Sequence, residues 1–313
     1  MIADPFTWLY AQIVRARNAR YDRGRSAVER LQLPVISVGN LSMGGSGKTP
    51  FVQTLGRWLE EREIHYDVLS RGYGRKTRGV LQVEEAGTAA EFGDEPLLLA
   101  RTLRAPVFVG EERYAAGLAA EAWSERAGHG TRLHILDDGF QHRRLHRDFD
   151  IVLLAAGDLR GSLLPFGRLR EPLASLGRAQ AVAAPEELAA LLAEPNVWRV
   201  RRRLELPSPA PTRPLAFCGL ARPAQFWESL VDVGIYPVGR YAFGDHHQYG
   251  AKDIALLARL AKQHEANGFL TTEKDLVKLK GAGLAPMIAP RLVIEVENAN
   301  ARFTSMLQSS GVR

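Results

Sequence analysis

The chain has 313 residues, of which 46% are hydrophobic and 24% charged; this is ordinary globular usage at about twice a typical domain length, which predicts two domains and excludes disordered, collagen-like and solenoid proteins. Its single cysteine, Cys218, excludes an internal disulfide and a Cys-based zinc site and favours a reducing compartment. The net charge of +6 suits a phosphorylated ligand, nucleic acid or an anionic membrane surface without choosing among them.

The first predicted element, within residues 1–30, is an amphipathic basic helix. Phe6, Leu9, Tyr10 and Ile13 fall on one face, and Arg15, Arg17, Arg20, Arg23, Arg25 and Arg30 follow. Such a segment either lies on anionic lipid or docks on its own domain. No apolar run approaches the roughly 18 residues that a membrane span needs, and no secretory signal pattern is evident, so the expected location is the cytoplasm. Short β-branched runs at 35–38, 67–69, 106–109, 133–136 and 150–154 alternate with helical patterns at 49–61 and 111–123. This predicts an α/β fold with a mostly parallel sheet flanked by helices, over residues 31–205. Four prolines in 206–214 mark a boundary after the basic run Arg199, Arg201, Arg202 and Arg203. Runs at 215–218, 268–271 and 291–296, with a helix from Pro223, predict a second, smaller α/β domain over 206–313.

The strongest local signal follows the first β-run: Met43-Gly44-Gly45-Ser46-Gly47-Lys48-Thr49, with Pro50 entering a helical pattern. Glycines let backbone N–H groups turn around phosphate oxygens at a helix N-terminus. The motif makes the sheet P-loop NTPase-like: Lys48 would bridge the outer phosphates of a nucleoside triphosphate, and Thr49 would offer its hydroxyl to Mg²⁺. Ser42 stands where the strict pattern has glycine. A metal partner is expected at the end of another strand, and the run 133–136 delivers Asp137 and Asp138 there, followed by Gln141 and His142. A GTPase motif is not supported: Thr272-Glu273-Lys274-Asp275 has the wrong spacing, and Gly139 falls one residue early after Asp137. The basic tracts lack the aromatic platforms of a nucleic-acid motor, so no nucleic acid is expected.

Taken in order, the stretch 38–50, then Ser70-Arg71-Gly72-Tyr73-Gly74-Arg75, Gly93-Asp94-Glu95-Pro96, Asp137-Asp138-Gly139-Phe140-Gln141-His142, Leu169-Arg170-Glu171-Pro172, Asp245-His246-His247 and Thr272-Glu273-Lys274-Asp275 closely resemble the tetraacyldisaccharide 4′-kinases of lipid A biosynthesis. That family accepts Ser or Thr at the Ser42 position. The resemblance implies a peripheral enzyme on the cytoplasmic face of the bacterial inner membrane. It would move the γ-phosphate of ATP onto tetraacyldisaccharide 1-phosphate to give lipid IVA, with Mg²⁺ and no obligate protein partner, and it tips residues 6–30 towards membrane contact.

The resemblance further implies Asp94 as the base, assisted by a histidine, with His246 preferred to His247. Asp94 read alone is equally a helix N-cap. Glu95 would assist the metal beside Thr49, Asp137 and Asp138, or orient Asp94. Arg170 would contact phosphate or pair with Glu171. Arg71, Tyr73 and Arg75 form an expected headgroup loop, since guanidinium forks suit phosphate. Gln141 and His142 would face the site, and Lys274 and Asp275 would pair with each other. A P-loop kinase for a soluble phosphosugar and a nucleotide-switched membrane ATPase remain the alternatives.

Overall fold

Continuous aliphatic runs suit strands buried on both faces, whereas arginine-rich alternation suits a strand with one face in water. The computed structural model describes residues 4–192, 196–279, 281 and 283–312 and follows that division. In chain order the first unit holds α1 (Pro5–Asp22), β1 (Val35–Asn40), α2 (Lys48–Glu60), β2 (Tyr66–Ser70), β3 (Leu81–Gln82), α3 (Ala89–Phe92), α4 (Asp94–Thr102), β4 (Val107–Val109) and α5 (Arg113–Ala127). It continues through β5 (Leu133–Asp137), β6 (Phe149–Leu153), a 3₁₀ turn at Leu173–Arg178, β7 (Ala181–Pro185), α6 (Glu186–Ala189) and β8 (Val197–Glu205). The second unit holds β9 (Pro214–Cys218), α7 (Pro223–Asp232), β10 (Gly239–Ala242), α8 (Ala251–Gln263), β11 (Gly268–Leu270), α9 (Glu273–Lys278) and β12 (Met287–Ile288), and the chain ends with β13 (Arg291–Val296) and α10 (Ala299–Ser309).

The large sheet has the order β13-β8-β7-β6-β1-β5-β2-β4-β3, parallel from β8 to β4 and antiparallel at both edges. β1 lies between β5 and β6, with every residue of the three strands buried. In such sheets ligands bind beyond the carboxyl ends of the strands. Here those ends deliver the glycine loop after β1, Ser70 at the end of β2, Asp137 at the end of β5 and Arg113 after β4. Phe51, Val52 and Leu55 of α2 and Leu97 of α4 join the main core. The second sheet, β10-β9-β11-β12, is wholly parallel, and period-two alternation along β9 sends Leu215 and Phe217 into one core and Ala216 and Cys218 into the other.

Two expectations are corrected. The run 291–296, expected in the second domain, is β13 and pairs antiparallel with β8 of the first sheet. The basic run before the boundary is itself strand β8, and one of its arginines, Arg203, meets the acid of β13, Glu295, at 2.8 Å. Behind β13, Phe303 and Met306 of α10 are fully buried in the main core, with the Phe303 ring 5.3 Å from that of Trp58. Only residues 206–288 therefore form the second unit. The apolar face expected of α1 is also divided. Tyr10, Val14 and Asn18 lie on the docked side, with the Tyr10 hydroxyl donating to the Arg170 carbonyl at 3.0 Å, while Phe6, Trp8, Leu9 and Ile13 are exposed.

Candidate active site

Gly44 and Gly47 adopt φ of 91° and 92°, conformations that L side chains rarely reach, and a Cβ at Gly44 would come within 3.0 Å of the Arg168 guanidinium. The turn they make delivers Lys48 as the first residue of α2 and leaves amides at the helix N-terminus free to face an anion. Thr49 is buried, and the Ser46 hydroxyl is buried without a partner among the described residues. The loop is braced from outside. Met43 N–H donates to the Arg168 carbonyl at 2.8 Å, the Arg168 guanidinium returns a bond to Met43 O at 2.5 Å, and Arg202 donates to the Ser46 carbonyl at 2.7 Å.

At the end of β1 the Asn40 side-chain carbonyl accepts from Lys48 at 3.2 Å and from Arg170. Arg170 also grips Asp138 through two parallel bonds of 3.0 and 2.8 Å, and Lys48 lies 3.6 Å from the same carboxylate. Arg170 thus pairs with Asp138 and not with Glu171, which binds Arg178 at 2.9 Å. Burial opposes ionisation of Asp138, but Lys48 and Arg170 outweigh it and hold the carboxyl well below the usual range. Asp137 receives only the Ser70 hydroxyl, at 3.1 Å, and its Oδ1 is buried without a partner among the described residues. Burial, then the neighbouring Glu95 and Asp138, push its pKa up to about 7. A divalent cation would relieve that crowding. Carboxylate and hydroxyl oxygens from Asp137, Asp138 and Thr49 fit Mg²⁺, which takes one or two protein carboxylates together with phosphate oxygens.

Asp94 begins α4 with Gly93 as the N-cap residue, so its carboxylate is not the cap. His246 Nδ1 lies 3.1 Å from Asp94 Oδ2, and Lys278 Nζ lies 3.2 Å from the same oxygen. Burial would raise the Asp94 pKa, but these two partners hold it below the ordinary value, and the bond to Asp94 in turn raises that of His246. His246 sits at φ 55°, a costly conformation for a non-glycine residue that turns its ring towards Asp94. His247 points elsewhere, 3.1 Å from Asp253. Lys274 pairs with Glu95, and Asp275 takes Lys278 at 3.2 Å and the Thr272 hydroxyl at 2.7 Å, so the expected Lys274 to Asp275 pair does not form.

Of the expected headgroup residues, Tyr73 is exposed with its ring 5.6 Å from that of His246, Arg71 is exposed, and Arg75 donates to the Gly79 carbonyl within its own loop at 2.5 Å. Gln141 donates to the Asn40 carbonyl at 2.9 Å. Burial, then Arg113 and Arg147, push the His142 pKa down to about 4, which keeps its imidazole neutral. Arg113, Lys278 and Asn40 were not singled out from the sequence. Arg113 is buried at the start of α5, and its charge acts on both Asp138 and His142; only its place just after a strand end offered a signal.

The chain matches over residues 1–310 the family described as tetraacyldisaccharide-1-P 4′-kinase. It belongs to that family. A tetraacyldisaccharide 4′-kinase of Koribacter versatilis is 46% identical over 97% of this chain and 98% of its own length, and one of Aquifex aeolicus is 40% identical over 88% and 89%. The crystal structure of LpxK from Aquifex aeolicus in complex with ATP superposes with a TM-score of 0.80 at 34% identity, covering 97% of both chains. This tetraacyldisaccharide-1-P 4′-kinase family member therefore shares the fold of that relative. No helix among the described residues is long and apolar enough to cross a membrane.

Proposed function

We infer that this chain transfers the γ-phosphate of ATP to the 4′-hydroxyl of a tetraacylated glucosamine disaccharide 1-phosphate, forming lipid IVA in lipid A biosynthesis. The observation that carries this reading is a phosphate loop close to a carboxylate–imidazole pair: Asp94 is buried and bonded to the partly exposed His246, and the Lys48 charge of the loop acts on Glu95, the neighbour of Asp94. The loop holds a phosphate donor, and the pair accepts a proton from an attacking hydroxyl. Residues 43–49 cradle the nucleotide phosphates. Lys48 and Arg170 face the charge that develops on the transferred group. Mg²⁺, when bound, neutralises the β- and γ-phosphates; Thr49, Asp137 and Asp138 would hold it. Asp94 takes the hydroxyl proton while His246 orients the carboxylate. Glu95, tied to Lys274, steadies the turn that carries Asp94. Arg71, Tyr73, Arg75, Gln141 and His142 line the approach for the phosphorylated headgroup.

The acyl chains of this acceptor stay in the bilayer, so the enzyme works as a peripheral protein on the cytoplasmic face of the inner membrane. Supporting this are the exposed Phe6, Trp8, Leu9 and Ile13 of α1, joined by Phe166 at a ring separation of 6.4 Å from Phe6, and the exposed Arg15, Arg20, Arg23 and Arg25. The test is transfer of labelled γ-phosphate to tetraacyldisaccharide 1-phosphate in mixed micelles, with Lys48→Ala as control. Transfer by the wild type and its loss in the variant are expected. Full activity on a phosphosugar without detergent would replace this reading by a soluble-acceptor kinase, and nucleotide-dependent membrane association with slow hydrolysis alone would replace it by a switch.

A further inference from the structure

Two lysines one helical turn apart on α9, Lys274 and Lys278, reach two consecutive acids at the start of α4, Glu95 and Asp94. The Lys278 side chain is 3% exposed, and an ammonium taken out of water is costly unless paired. Its partners are Asp94 Oδ2 and Asp275 Oδ1, each at 3.2 Å. Asp275 is wholly buried and is itself anchored, because its other oxygen accepts the Gly219 N–H at 2.9 Å and the Thr272 hydroxyl at 2.7 Å. Lys278 is therefore held from behind by the end of β9 and the first turn of α9. His246 approaches the same Oδ2 from the other side at 3.1 Å. No side chain among the described residues bonds Asp94 Oδ1. Both protein contacts thus fix one oxygen and leave the other for a hydroxyl.

We propose that Lys278 is a positioning residue for phosphoryl transfer: from the second unit it fixes Asp94 through Oδ2 so that Oδ1 faces the acceptor. The inference rests on Asp94 being the base, and it concerns placement of that base. Misplacing a reacting group by about 1 Å is enough to cost on the order of 10²-fold in rate.

The experiment is a double-mutant cycle on the full chain in mixed micelles, measuring kcat and the KM for ATP in the wild type, Lys278→Met, Asp94→Asn and the double variant. Lys278→Met is expected to lower kcat on the order of 10²-fold with the KM for ATP kept within about twofold. In the Asp94→Asn background the same change should cost less than about twofold, because a residue that acts only through Asp94 has nothing left to act on. Thermal unfolding reports whether each variant is folded. Should Lys278→Met not fold, Asp275→Asn loosens the anchor while keeping the lysine, and an about tenfold kcat loss that disappears in the Asp94→Asn background carries the same meaning. Losses that multiply in the double variant, a defect confined to the KM for ATP, or an unchanged kcat would each reduce Lys278 to a structural cross-link. Full kcat in Asp94→Asn would instead remove the base itself, and the inference with it.

Discussion

At the amino end of β5 the wholly buried His134 lies 2.7 Å from Asp67 of β2 and 3.4 Å from Glu121 of α5, and Glu121 also accepts the Gln32 and Leu33 amides at 2.8 and 2.9 Å. Three residues on, at the carboxyl end, Asp137 has among the described residues only the Ser70 hydroxyl, while Lys48 and Arg170 turn to Asp138 and Lys274 turns to Glu95. Burial works against a charged His134, but Asp67 and Glu121 outweigh it and push its pKa up to about 9. Burial and neighbouring acids push Asp137 up to about 7. A buried acid cluster that brings its own cation is a structural tie. One left short of a cation is prepared for a ligand that carries cations with it.

The largest effect expected from this contrast is on turnover. Asp137→Asn should lower phosphate transfer on the order of 10³-fold, while thermal unfolding shows stability held or raised, since a crowded carboxylate has been neutralised. A loss of stability on the scale of a core substitution would move Asp137 into the structural class. At the other end of the strand, His134→Ala leaves two buried carboxylates without their cation and should cost about 3–5 kcal/mol by denaturant titration, with kcat of the folded enzyme retained. The wild type should carry the matching pH signature. A folded-state pKa of about 9, raised above an unfolded value near 6.5, gives stability that is full below about pH 6.5 and lost as the pH rises through about 9. The variant should lose that decline, and a wild-type stability that climbs over the window would overturn the charge state. The smallest effect belongs to exposed pairs. Arg203, 2.6 Å from Glu205 and 2.8 Å from Glu295, should on replacement by Ala change stability by less than about 1 kcal/mol and leave turnover unchanged.

Contiguous features were legible in the sequence. A strand, a glycine turn and a lysine at a helix start follow one another within 35–49, and the carboxylates Asp137 and Asp138 end an aliphatic run. Features that join distant residues were not. Lys278 and Asp94 are 184 residues apart, and Arg168 reaches Met43 across 125. Side-chain direction was equally hidden: the positive φ at His246 separates adjacent histidines, sending one to Asp94 and stacking the other on Phe243 at 4.5 Å. Tyr10 shares helical spacing with Phe6 and Ile13, yet its hydroxyl finds the Arg170 carbonyl and takes the ring to the docked side. β13 carries an ordinary strand pattern that does not encode which sheet it joins, and its register against the arginines of β8 appears only when the chain folds back.

That return of β13 and α10 has a consequence for synthesis. The phosphate loop leaves the ribosome well before β13 and α10, but Ile294 lies against Gly47, the Thr54 hydroxyl bonds the Ile294 carbonyl at 2.9 Å, and Phe303 fills the core beside Phe51. The nucleotide-binding half stays unfinished until residues 291–309 have been translated. A nascent chain arrested within 206–288 would expose apolar sheet surface along the β8 side, making it a substrate for holdase chaperones and proteolytic clearance and not a half-active kinase.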